Sequence, residues 1–138
     1  MKKKIVSGII LASIMMAHFA NICMADSVEQ KRIDIWAYSW SECDANKVSR
    51  TGNSAYAYAR NHAVFPDNGG TDNYKKIQCR IVNDYDLQIS NTTILNETST
   101  KNTNIKIYDG YLNMKTANFE FKGNSDKNAI AIVSYGSN

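Results

Sequence analysis

The sequence predicts a mainly β domain, an antiparallel β-sandwich or barrel-like arrangement with one short helix. Three observations carry that prediction. Short runs of alternating apolar and polar residues recur through the second half of the chain, with turn signals at a spacing of roughly 8–12 residues, as in sandwiches and barrels. Gly and Asn clusters separate these runs, because proline occurs once, at Pro66. The last run, Ala129 to Tyr135, is apolar on both faces, which is the pattern of a central, covered strand. An α+β layout, with a helix packed on an antiparallel meander, is the alternative.

Taken in chain order, Arg32 to Trp40 reads as the first strand, with Ile33, Ile35 and Ala37 on one face and Trp36, Tyr38 and Trp40 on the other. From Asn53 to Val64, four alanines alternate with Tyr56, Tyr58 and Arg60. Alanine content favours a helix here, although strict alternation also suits a strand. Pro66-Asp67-Asn68-Gly69-Gly70 is a loop. Lys76 to Val82 follows as a strand with Ile77, Cys79 and Ile81 on one face. Leu87 to Leu95 is the next, with a break at Ser90 and Asn91. Asn104 to Tyr108 and Tyr111 to Met114 read as a hairpin about Asp109-Gly110. Asn118 to Lys122 places Phe119 and Phe121 together, and Asn128 to Tyr135 closes the chain.

Ahead of these elements lies a different pattern. Lys2, Lys3 and Lys4 precede an apolar stretch from Ile5 to Ala17, and Cys23-Met24-Ala25 offers small residues at a cleavage site. That is the layout of a secretory signal peptide covering residues 1–25, and the apolar stretch is short for a membrane span. Cys23 lacks the context of a lipid-modified cysteine, since Ala20 stands where Leu is wanted and Ile22 where a small residue is. Residues 26–138 are then expected to form one β-rich domain, exported to the periplasm, the cell surface or the medium, with no transmembrane segment.

Removing the first 25 of 138 residues leaves 113 and changes the charge. Three of the 16 basic residues fall in the leader and all 13 acids lie beyond it, so the remaining domain is neutral. Nucleic acid is therefore disfavoured as a partner, because the basic surface that releases counterions from phosphates is missing. Export also makes a disulfide the default for the remaining cysteines, Cys43 and Cys79. Without a C-x-x-C spacing or clustered histidines, neither a metal nor another cofactor is expected. The Lys-, Asn- and Ile-rich composition suggests a bacterial source.

Candidate functional residues are few. Trp36, Tyr38 and Trp40 form an aromatic ladder if the strand is regular. Such large rings most often build a core or an interface, and on an open face they suit stacking on sugar C–H surfaces. His62 is the one histidine outside the leader and could serve as a general base with Asp84 or Asp86. The two aspartates more simply occupy a connection between strands. Asp67 to Asn73 is rich in oxygen ligands but lacks the spacing of a calcium loop, and reads as a solvated turn. No hydrolase, P-loop or dinucleotide motif occurs.

The leading expectation is a non-enzymatic exported binding protein of the adhesin, surface-associated or toxin-binding-subunit type, recognising a glycan or a protein partner at the cell envelope. A small secreted hydrolase or nuclease-like toxin using His62, and a periplasmic inhibitor or immunity protein, are the alternatives. Oligomerisation is left open.

Overall fold

A computed structural model describes residues 27–69 and 74–137. Residues 1–26, which hold the expected leader and Cys23, and residues 70–73 of the Asp67–Asn73 segment lie outside the described residues. The described residues form eight strands: β1 (Ser27–Ile35), β2 (Lys47–Ser49), β3 (Tyr56–Pro66), β4 (Lys76–Val82), β5 (Thr93–Asn96), β6 (Thr103–Lys106), β7 (Thr116–Gly123) and β8 (Ala129–Ser137). They form two four-stranded antiparallel sheets, ordered β1-β8-β3-β6 and β2-β7-β4-β5. The two sheets stack face to face as a β-sandwich. No helix among the described residues is long and apolar enough to cross a membrane.

Alternation sets what lies between the sheets. Ile77, Cys79 and Ile81 of β4 and Ala117, Phe119 and Phe121 of β7 face inward and are fully buried. From the other sheet, Tyr135 of β8 inserts its ring between Phe119 and Phe121, at centroid distances of 4.9 and 5.6 Å. Its hydroxyl donates to Asn46 Oδ1 at 3.3 Å. Burial pushes the Tyr135 phenol up to about 12, with the Cys79 sulfur as a second cause. As its sequence pattern requires, β8 is an inner strand, flanked by β1 and β3.

The structure corrects four expectations. Asn53 to Val64 is not a helix: β3 runs along the full length of β8 and continues the alternation through Ala57 and Ala59, both completely buried. Alanine's helix propensity is worth tenths of a kcal/mol per residue, and the backbone pairing plus the close approach allowed by small inward side chains outweighs it. A bulge between Asn61 and Ala63 then resets the register so that Val64 points inward. Asp109-Gly110 does not close a hairpin. It sits in a single 3-10 turn, Asp109–Tyr111, and β6 pairs with β3 instead. β1 ends at Ile35 rather than at Trp40.

The fourth correction concerns Cys43 and Cys79, which are both free thiols. Cys79 points into the core from β4 and is wholly buried, which drives its thiol far above the ordinary range. Cys43, in the turn before β2, places Sγ beside Asp86 and Glu120. Glu120 pairs in register with Arg80, the residue after Cys79, so its carboxylate lies on the outer face of the same sheet. The sheet itself separates the two sulfurs, and a disulfide needs Cβ atoms about 4 Å apart with converging vectors.

Candidate functional site

Past Ile35 the chain leaves the first sheet but does not wander. Gly123 N donates to Trp36 O at 2.8 Å, Ala37 N to Asn128 Oδ1 at 3.0 Å, and Ser41 N to Phe121 O at 2.9 Å. Phe121 N returns a bond to Ser41 Oγ at 3.0 Å. Residues 36–41 are thereby laced to the end of β7 and to the β7–β8 connection. Gly123 is required for this approach: a Cβ there would meet the Tyr74 hydroxyl and lie 3.2 Å from both Ala37 Cα and Trp36 O.

The lacing splits the aromatic ladder. Trp36 is 50% exposed and Tyr38 79% exposed, so neither ring belongs to the core. Trp40 is half-buried, with the Arg80 guanidinium 4.4 Å from its ring centroid and Lys122 Nζ 5.7 Å away. The core reading of the three rings fails because the segment is no longer a strand with one face under the opposite sheet.

Tyr38 stands at the mouth of a cleft lined by Ala37, Asp67, Asn68, Asp126, Lys127 and Asn128. Three connections converge there: the exit from β1, the turn after β3 and the β7–β8 loop. Asp67 N donates to Asn128 O at 3.2 Å, which ties the second to the third. The lining offers carboxylate acceptors, amides that both donate and accept, an ammonium and an exposed ring. Asp67, Asn68 and Asp126 could receive and give hydrogen bonds to a polyhydroxylated ligand while Tyr38 covers an apolar face of it.

The proposed catalytic residues do not assemble. His62 lies on the outer face of the first sheet, its Nε2 2.7 Å from Ser134 Oγ. That serine is itself 2% exposed, donates to Glu29 Oε2 at 2.8 Å and accepts from Gln30 N at 3.0 Å. With its proton committed to Glu29, the hydroxyl ties the β1 bulge to β8 and β3. Asp84 and Asp86 lie beyond the other sheet, in the turn after β4 as the strand-connection reading has it. Asp84 accepts from Lys47 Nζ at 2.8 Å and Asn118 Nδ2 at 2.9 Å. Those bonds, Lys47's first, hold its carboxyl below the usual range. His62 and the aspartates thus occupy opposite outer faces of the sandwich.

One buried ion pair is not announced by the sequence. Arg80 and Glu120 form an ion pair with Nε 2.6 Å from Oε2, and Glu120 is 2% exposed. Burial drives the Glu120 carboxyl up, against the pull of Arg80. A charged residue alternating with Phe119 and Phe121 signals an outward position, but nothing in that pattern tells that Trp40 and Arg80 will cover it. Compared with known proteins, the chain matches no family model, no curated protein and no solved structure.

Proposed function

We propose that this protein is an exported, non-enzymatic binding domain, of bacterial origin, that recognises a glycan at the end of the sandwich where Trp36 and Tyr38 stand. The observation that carries this reading is the exposed Tyr38 ring at the mouth of a cleft lined by carboxylate and amide side chains, with Trp36 exposed two residues earlier in the chain. Rings of that size are ordinarily withdrawn from water, and a stack against sugar C–H faces would use the surface they leave open. Export rests on the leader pattern of residues 2–25. The adhesin or toxin-binding-subunit type is the finer form of the proposal, supported by the loop-built cleft at one end of a small sandwich. The separation of His62 from Asp84 and Asp86 removes the support a hydrolase reading would need.

A glycan array probed with the purified domain tests the proposal, together with Trp36→Ala and Tyr38→Ala. One ring face covers about 75 Å² of apolar surface, worth about 2 kcal/mol, so each variant is expected to bind about 20- to 30-fold more weakly with its melting temperature unchanged. Binding by both variants at the level of the parent protein, or a parent protein silent on the whole array, would refute it.

A further inference from the structure

The outer face of the second sheet carries a cluster that the ligand cleft does not use. Cys43 Sγ, an Asp86 carboxylate oxygen and a Glu120 carboxylate oxygen all lie within 4.8 Å of one another. Each comes from a different place: the turn before β2, the turn after β4 and the middle of β7. The group runs from the surface inward: Asp86 is exposed at its rim, Cys43 is half-buried and Glu120 is 2% exposed. Arg80 satisfies only part of it. Its Nε engages Glu120 Oε2 at 2.6 Å and its Nη1 reaches Gln88 Oε1 at 3.3 Å, whereas its Nη2 stays 3.8 Å from Asp86 Oδ1, beyond hydrogen-bond length. One pleat away on the same face of β7, Asn118 Oδ1 is buried with no partner.

We propose that Cys43, Asp86 and Glu120 form a binding site for a borderline-soft divalent transition-metal ion, of which Zn²⁺ is the representative, with Arg80 orienting the Glu120 carboxylate from behind. The donor set selects the ion. One thiolate and two carboxylates are ligands for zinc and its neighbours, while calcium takes six to eight oxygens and magnesium avoids sulfur. Zinc–ligand bonds of about 2.0–2.3 Å put neighbouring ligand atoms roughly 3.3–4 Å apart, which small side-chain rotations reach from the observed spacing. Charge closes as well. A thiolate and two carboxylates carry three negative charges, balanced by Arg80 and a divalent ion, which matters most for the buried Glu120. Arg80 then acts as the outer hydrogen-bond donor that ligating carboxylates commonly have. On binding, the ion displaces the thiol proton and any proton held between the two carboxyls, and these leave to solvent.

Titration of the chelator-treated protein with Zn²⁺ alone, followed by calorimetry, tests the site, with Co²⁺ as the spectroscopic probe. The expected result is one ion per chain and a thiolate-to-cobalt charge-transfer band. Cys43→Ser should lose the band, and Cys43→Ser and Asp86→Asn should each weaken binding by at least about 10- to 100-fold, with His62→Ala and Tyr38→Ala unaffected. Asp86→Asn keeps the fold accessible, because asparagine tolerates the left-handed backbone at this position, where φ is 60°. Absence of saturable binding, a cobalt spectrum without the thiolate band, or equal binding by Cys43→Ser and Asp86→Asn would overturn the proposal.

Discussion

Replacing Cys43 by alanine separates a free thiol from a disulfide by a margin that stability measurements resolve easily. A bridge to Cys79 would close a loop of about 36 residues and contribute about 4 kcal/mol in the chain-entropy model. In the structure the Cys43 thiol is half-buried and donates over 3.5 Å to Asn83 O, a weak contact, so its removal costs about 0.5 kcal/mol. For a domain of this length about 1 kcal/mol moves the melting temperature by about 4 °C. Cys43→Ala should therefore melt about 2 °C below the parent rather than about 16 °C below it. Cys79→Ala empties part of a fully buried site between Ile77 and Ile81, and should cost about 1–2 kcal/mol, or about 4–8 °C. The assay is thermal denaturation of the three proteins with chelator present, with and without reductant, followed by peptide mapping after alkylation under denaturing, non-reducing conditions. A Cys43–Cys79 linked peptide, or equal large losses in both variants that match the effect of reductant, would refute the argument that the sheet keeps the sulfurs apart.

Other consequences follow from the same geometry. Arg80→Ala leaves the Glu120 carboxylate buried without its cation and should cost about 3–5 kcal/mol near neutral pH, while the Arg80→Ala/Glu120→Gln double variant recovers most of that loss in urea denaturation with chelator present. Because the folded-state value of Glu120 is raised, its favourable contribution is complete below the unfolded value of 4.5 and is lost as the pH rises through the higher folded-state value, so the Arg80→Ala defect should shrink in acid. Asp84 behaves in the opposite sense: its lowered value contributes stability above pH 3.8 that fades as the pH falls through the folded-state value. Lys47→Met should reduce that acid-side slope, the Asn118 and Thr116 bonds keeping the remainder, with a loss of well under about 1 kcal/mol, since both side chains are more than a third exposed. Gly123→Ala should displace residues 36–38 by its clash with the Tyr74 hydroxyl and the Trp36–Ala37 backbone, lowering stability by about 1–3 kcal/mol and abolishing glycan binding on the array.

The strands most legible in the sequence are those whose alternation has one dominant partner face. β4 runs from Lys76 to Val82 as its pattern states, and Phe119 and Phe121 share the inner face of β7. β8 is central because Ile130 and Ile132 need cover on one side as much as Val133 and Tyr135 do on the other. Where two periods compete, local pattern gives no decision. The Ala-Tyr alternation of β3 fits a helix in isolation and becomes a strand only when β8 offers its hydrogen bonds. Trp36, Tyr38 and Trp40 keep a period of two on paper, yet the bonds from Gly123 and Asn128, contributed by residues about ninety positions away, bend the chain off the sheet.

By itself, then, the sequence determines the β class, the inner faces of β4, β7 and β8, the neutrality of residues 26–138 and the basic-then-apolar pattern of residues 2–17, because each of these is local composition or local period. The tertiary structure alone decides the rest. Which of three aromatic rings meet water depends on long-range backbone bonds. Whether two cysteines meet depends on which side of a sheet a distant turn falls. Cys43, Asp86 and Glu120 form one cluster only because two turns and a strand converge on the same outer face, a juxtaposition that spacing along the chain does not encode.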